Sequence, residues 1–330
     1  MLQLVQAVGT IIIAVSLCIA WFWYSNLLLD KVYPASGANI NRNLRTAANI
    51  RPWLFLGPAI LLLTVYLVYP VFNSLWLAMH DARADEFVGM DNFIWLVNDQ
   101  KFRESMFNNL LWLIFVPTAS TLFGLAAAAV TDKLSWGNFA KSLIFMPMAI
   151  SFIGASVIWK FIYDYRGGEQ DQIGLINALV TALGGEAQAW ITVPFYNNFF
   201  LMLILIWIQT GFAMVILSAA LRGIPEETVE AAVLDGASDW QVFYRIKVPQ
   251  IWGTIAVVWT TITITVLKVF DIVLAMTNGQ WGTQVLANLM FDWMFRGGHL
   301  GRASAIAVVI MLLVTPIMIL NMRNAHNESK

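Results

Sequence analysis

An all-α polytopic membrane protein with seven transmembrane helices is the fold class this sequence predicts, on three observations. Of 330 residues, 59% are hydrophobic and 12% charged, and mean hydropathy is +0.69, far outside the averages of globular chains. Apolar stretches long enough to cross a hydrocarbon core about 30 Å thick recur along the whole chain. These stretches lack the alternation of barrel strands, as LLWLIFVPTASTLFGLAAAAV (110–130) illustrates, and backbone in lipid must be paired within helices or closed barrels.

The stretches cover 4–29, 53–79, 110–130, 142–162, 195–221, 252–276 and 303–322. The first is too long for the apolar part of a signal peptide and no basic residue precedes it, so it is read as a span. Lys and Arg in alternate loops set the orientation. Loops 30–52, 131–141, 222–251 and the C-terminal tail hold Lys31, Arg42, Arg45, Arg51, Lys133, Lys141, Arg222, Arg245, Lys247, Arg323 and Lys330. The opposite side holds Arg83, Lys101, Arg103, Arg166, Arg296 and Arg302. This bias predicts a cytoplasmic C-terminus, a cytoplasmic loop 222–251 and, with seven spans, an external N-terminus. Pro58, Pro70, Pro117, Pro147 and Pro316 fall inside spans, where each removes a helix hydrogen bond and predicts a kink. Trp21, Trp23, Trp53, Trp76, Trp112, Trp159 and Trp252 lie at or near the expected helix ends and read as headgroup-zone anchors.

Composition also excludes. Nineteen basic against twenty acidic residues give a net charge of -1, which offers no field for nucleic acid. The lone Cys18 cannot form an intramolecular disulfide, and His80, His299 and His326 are too far apart in sequence to suggest a metal site.

Two outer loops are more than connectors. Residues 173–185 carry apolar side chains at helical spacing over a length too short to span, which predicts a surface amphipathic helix. Residues 277–295 begin with the turn formers Asn278, Gly279 and Gly282 and continue into a second apolar helical stretch. Contact with an external partner and packing over the mouth of the bundle are both open for them.

The most informative segment is LRGIPEETVEAAVLDGASDWQVFYRIKVPQIWG (221–253). Pro225 followed by Glu226 and Glu227 is a helix start, because proline has no N–H to leave unpaired and carboxylates favour the positive end of the helix dipole. That helix runs to about Leu234. Gly236 allows a sharp turn, Ser238 with Gln241 forms a capping box for a second short helix, and Pro249 closes it. The pair of helices presents Val229, Ala232, Val233, Trp240 and Phe243 as an apolar face with no core of its own to cover it, which predicts a docking partner.

Glu230-Ala231-Ala232, Gly236 after three intervening residues, then Ile246 and Val248-Pro249 resemble the EAA loop of binding-protein-dependent ABC importer permeases. Asp235-Gly236-Ala237 and Phe243 resemble the sugar-importer branch. The segments 249–254 and 268–283, and Asn49 to Leu56 after the N-terminal helix, are similar to the α-glucoside permeases in particular. Gly253 stands where many sugar permeases carry a second proline, and Gly279-Gln280-Trp281 where many have Gly-Gly-Pro.

The resemblance implies a six-helix type I importer permease core at 53–330, with the EAA loop at 222–251, preceded by an extra N-terminal helix and cytoplasmic linker at 1–52. It implies a subunit of the bacterial inner membrane that pairs with a second, homologous permease, sits on two ATPase subunits and receives sugar from an external solute-binding protein. The chain is then not itself an enzyme. No lysine here follows a glycine, so a phosphate-cradling Gly-Lys-[Ser/Thr] motif is missing, and ATP with its Mg is expected on the partner ATPase. Glu230, Ala231, Ala232, Asp235, Gly236, Phe243 and Pro249 are the expected coupling residues, with Glu230 facing a basic residue of the ATPase.

Sugar is expected between the fifth and sixth spans. Gln209 and Phe212, three apart on one face, offer a hydrogen-bonding amide and a surface for a sugar's apolar side. Thr265, Lys268 and Asp271 follow at the same spacing on the sixth span. The structural alternatives are an interhelical hydrogen bond at Gln209 and an i,i+3 ion pair between Lys268 and Asp271. An α-glucoside or related di- or oligosaccharide is the expected cargo, and another polyol or a phosphorylated polyol is the alternative. A self-contained secondary transporter is a further alternative, for which an internal repeat is missing and Asp271 is the one acid well inside a span.

Overall fold

A computed structural model describes residues 2–36, 40–167 and 170–328, with side chains placed from residue 6 to residue 319. The expected inside charges Arg323 and Lys330, and His326, lie outside the described side chains. Among the described residues the protein is helical apart from turns and one isolated antiparallel bridge, His80 to Phe87. Two units form, Met1–Asn73 and Ser74–Lys330.

In the first unit, α1 (Leu2–Val32) is followed by α2 (Ile40–Ala78), whose later turns continue into the second unit. Much of the stretch expected as a linker is therefore helical, because 40–52 holds good helix formers and neither Gly nor an early proline. Both helices are exposed along their most apolar windows, as lipid-facing surfaces are. Each proline of α2 leaves a carbonyl four residues earlier without its N–H partner. At Pro58 that carbonyl belongs to Leu54, and the Trp21 indole of α1 donates to it at 3.0 Å. Before Pro70 the helix widens into a π turn over Thr64–Val68, with the Tyr69 N–H reaching back to the Thr64 carbonyl. The helix therefore continues through its prolines. Phe22 against Phe55, with ring centroids 5.1 Å apart, and Arg51 to Asp30 at 3.1 Å complete the antiparallel pairing of α1 and α2.

The second unit contains the short α3 (Asp91–Asn98), α4 (Gln100–Thr131), α5 (Gly137–Phe145), α6 (Phe152–Ile162), α7 (Leu175–Ala182) and α8 (Tyr196–Arg222). After these come α9 (Glu226–Leu234), α10 (Asp239–Gln250), α11 (Trp252–Leu267), α12 (Asp271–Met276), α13 (Leu286–Phe291) and α14 (Leu300–Glu328). Its core is the contact of α4 with α8, joined by α11: Trp112, Val116, Leu201, Leu205, Met214, Leu217, Val258 and Ile262 are buried there. Close approach of α4 and α8 depends on small residues, since a Cβ at Gly124 would collide with Ala213 and lie 2.9 Å from the Met214 nitrogen.

Among the described residues, five single helices are long and apolar enough to cross a membrane, and seven spans result only if each of two bent pairs counts as one. The expected straight fourth span, 142–162, is one such pair. A 3-10 turn over Met146–Ala149 containing Pro147 ends its first half, and Ser151, accepting from the Gly154 N–H at 3.1 Å, caps the second half at 106° to the first. The sixth span, 252–276, is also interrupted: α11 stops at Leu267 and α12 starts at Asp271. The threonines of the TTITIT run send their hydroxyls back to carbonyls of the preceding turn, which weakens a helix before it ends. Trp112, expected as an interfacial anchor, is fully buried in mid-helix, because α4 begins ten residues before its apolar run. Within the stretch 173–185, expected to be helical, α7 forms over Leu175–Ala182.

Trp21→Phe keeps an aromatic ring, though a smaller one, and removes the donor to Leu54. We expect the purified chain to lose about 1 kcal/mol of stability in detergent unfolding; unchanged stability would show that the proline-freed carbonyl needs no partner.

Candidate coupling loop and translocation path

The helix pair α9 and α10 forms as its local signals require. Pro225 is the residue before the first helical position, one place earlier than expected, and Thr228 N–H donates to its carbonyl at 3.2 Å. At the far end, the Gly236 N–H donates to the Val233 carbonyl and the Ala237 N–H to the Ala232 carbonyl, both at 3.0 Å. This double closure needs a left-handed residue, and Gly236 has φ +84°. The capping box is complete: Gln241 N–H donates to Ser238 Oγ at 3.4 Å and Ser238 N–H to Gln241 Oε1 at 2.8 Å. Pro249 does not end α10. The chain takes a π turn over Phe243–Lys247 ahead of that proline, then bends by 69° at Ile251 into α11.

The expected apolar face divides. Ala232 is buried together with Val242, while Val229 and Phe243 are half-buried. Val233 and Trp240 remain exposed, and Leu234 and Tyr244 join them, with Leu234 87% and Trp240 69% exposed. Trp240 packs edge-on against Tyr244, ring centroids 4.7 Å apart. Glu230, Ala231 and Asp235 are exposed as well, and among the described residues the Glu230 carboxylate has no ion-pair partner.

The loop is tied to the spans by charged residues that the sequence reading did not single out. Lys133, just beyond α4, donates to Asp239 Oδ2 at 2.9 Å, and this contact holds the Asp239 carboxyl below its ordinary range. One residue earlier, the Asp132 carboxylate pairs with the Lys141 ammonium of α5 and accepts from Ser218 Oγ of α8 at 2.9 Å. Arg222 lies 3.8 Å away. The Asp132 and Lys141 side chains are only 19% and 14% exposed, so removing either charge strands its partner at a cost of about 3 kcal/mol. Three helices thereby meet at one carboxylate, close to Arg222 at the start of the loop.

Of the expected sugar contacts, Gln209 and Phe212 share a face of α8. Gln209 is buried with no hydrogen-bond partner among the described residues, and Phe212 packs on the core. Thr265, on α11 packed against α8, is half-buried and donates to the Thr261 carbonyl at 3.2 Å. Lys268 and Asp271 are separated from it by the helix break: Lys268 is the exposed C-cap of α11 and Asp271 opens α12, where a carboxylate suits the helix dipole. Among the described residues they form no ion pair, with each other or with another group.

At the opposite end, paired asparagines hold the loop that leads to α13. Asn108 donates to the carbonyls of Gly282 (2.9 Å) and Gln284 (2.8 Å), Asn109 accepts from Leu286 N–H (2.8 Å), and Asn197 donates to the Trp281 carbonyl (2.8 Å). Trp281 is left half-exposed with φ +56° at the tip. The Arg302 guanidinium sits between the rings of Trp95 and Trp293, 4.2 and 4.7 Å from their centroids. Burial, and then the Arg302 charge, lower the pKa of His299, whose Nδ1 accepts the Arg302 N–H at 3.2 Å. The doubled Asn at 108–109 and 197–198, each opening an apolar run, was the available sequence signal.

Gly236→Val should destabilise the helix pair by about 1 to 3 kcal/mol, since a β-branched residue resists positive φ. The readout is faster amide exchange across 226–250 in the purified chain, with Gly236→Asn recovering most of the protection. Equal exchange in all three forms would contradict the turn's role.

Comparison with known proteins gives this geometry a family. The family described as the binding-protein-dependent transport system inner membrane component matches residues 120–325. The chain is 69% identical over 331 residues to the alpha-glucoside transport system permease protein AglF of Rhizobium meliloti (strain 1021), covering 99% of this chain and 98% of that one. It is 48% identical over 277 residues to the osmoprotective compounds uptake permease protein GgtC of Synechocystis sp. (strain ATCC 27184 / PCC 6803 / Kazusa), covering 84% and 99%. A solved bacterial ABC transporter involved in the import of the acidic polysaccharide alginate shares the fold, with a TM-score of 0.72 at 20% identity over 86% of this chain and 97% of that one. A family match over more than half the chain, with identity sustained along nearly its whole length, places this protein among the multi-pass inner-membrane permeases of binding-protein-dependent ABC transport systems.

Proposed function

We propose that this chain is the permease subunit through which an ATP-driven importer passes an α-glucoside or a related di- or oligosaccharide, delivered by an external solute-binding protein. The observation that carries this reading is the 69% identity to an alpha-glucoside permease along the whole chain. Family membership removes the secondary-transporter alternative. A second cargo reading, osmoprotective compounds, rests on the 48% identity to the second relative.

In this reading a second, homologous permease completes the path and two ATPase subunits bind below it. ATP and Mg belong to those subunits, and this chain is no enzyme. The loop 222–251 faces the cytoplasm with the C-terminus, and the N-terminus lies outside. Support comes from Lys133 and Asp132, which join the positively charged loop 131–141 to the EAA loop at one end of the bundle. Glu230 makes a charge-assisted contact to a base on the ATPase, and Leu234, Trp240 and Tyr244 enter its cleft. Ala231 and Ala232 keep α9 thin enough to seat. Asp235 and Gly236 set the angle between the helices, and Phe243 and Pro249 shape the turn into α11. Gln209, Phe212 and Thr265 meet the sugar. Lys268 and Asp271 sit at the helix break, where they act on its geometry or on the sugar's hydroxyls.

The test uses the assembled complex with its binding protein. An α-linked disaccharide should stimulate ATP hydrolysis. Glu230→Lys should lose the ATPase subunit, as removal of a contact contributing about 2 to 5 kcal/mol predicts. Gln209→Ala should keep the ATPase and weaken sugar uptake. Stimulation by a phosphorylated polyol instead would move the cargo, and normal assembly and uptake in both variants would overturn the assignment.

A further inference from the structure

Along the inner face of α1, within the first unit, runs a cavity of about 490 Å³ that the transport reading does not use. Trp21, Tyr24, Ser25, Leu28 and Val32 line it from α1, Tyr33 from just beyond it, and Ile50 and Leu54 from α2. The α1 residues recur at helical spacing, so the groove extends over about 17 Å. Its walls are almost wholly apolar, and water inside would find few partners.

The groove's far end is strongly basic. Lys31 precedes the lining residue Val32, Arg51 follows the lining residue Ile50, and Arg42 and Arg45 lie on the first turns of α2. Asp30 is the single acid in the first eighty residues. It is taken by Arg51 at 3.1 Å, while Lys31, Arg42 and Arg45 make no ion pair among the described residues. An apolar slot that ends in three uncompensated cations matches one ligand chemistry: a hydrocarbon chain carrying a phosphate.

We propose that the groove between α1 and α2 is a binding site for an anionic glycerophospholipid, with one acyl chain along Trp21 to Val32 and the phosphate held by Lys31 and Arg45 beside the Arg51–Asp30 pair. The site ties the first unit to the charge of the surrounding bilayer. Lipid attraction to such bases is felt within a Debye length of the surface and contributes several-fold per base.

The full-length chain, delipidated in detergent and mixed with vesicles of equal phosphatidylglycerol and phosphatidylcholine, provides the test, with retained lipid read by native mass spectrometry. Wild type should retain phosphatidylglycerol selectively. Lys31→Ala with Arg45→Ala should lower that preference by about fivefold per base while lipid still binds, and Leu28→Trp, which fills the slot, should lower retention of both lipids. A photo-crosslinker at Leu28 should capture lipid. Equal retention of the two lipids by wild type, or an unchanged preference in the double variant, would overturn the proposal. So would stabilisation by inorganic phosphate alone equal to that by vesicles, or a Leu28 crosslink to the second permease within the assembled complex.

Discussion

Backbone polar groups in a bilayer have no water to turn to, and this constraint explains where the chain is continuous and where it breaks. A proline in a span frees one carbonyl, and the chain answers in different ways. The Trp21 indole supplies the missing donor at Leu54, and one-residue-wider turns precede Pro70 and Pro249. At Pro147 the helix gives way, and Ser151 restarts it in a new direction.

One of these bends lies where a transporter has use for it. The one at Ile251 turns the helix pair α9 and α10 directly into α11, which packs on α8, the helix that carries Gln209 and Phe212. The Asp132 carboxylate gathers α4, α5 and α8 next to the base of the same loop, and Lys133 fastens the loop itself. A displacement of α9 and α10 therefore reaches the spans through the backbone at Ile251, and the exposed Lys133–Asp239 pair adds a second, weaker contact.

What the sequence made legible was local. Gly236, the Ser238 and Gln241 box and the acidic start at Glu226 are signals contained within four residues, and each formed as expected. The apolar runs located the membrane helices for the same reason. The break between Lys268 and Asp271, the burial of Trp112 and the Asp132 cluster depend on partners far away in the chain, which periodicity does not report. Asp132, Lys141 and Ser218 are unremarkable residues in three separate segments until α4 and α8 pack. Trp112 follows the same logic: its position suggested an interface anchor only while the start of α4 was placed at the start of its apolar run.

The central claim is that motion of the ATPase reaches the translocation path through the loop and its anchorage at Asp132. The most direct test is the ratio of sugar taken up to ATP hydrolysed, measured in vesicles containing the assembled complex with Asp132→Asn. The account predicts that the ATPase subunit stays bound and ATP is still hydrolysed while the ratio falls well below that of wild type. A variant complex that moves as much sugar per ATP as wild type would contradict it.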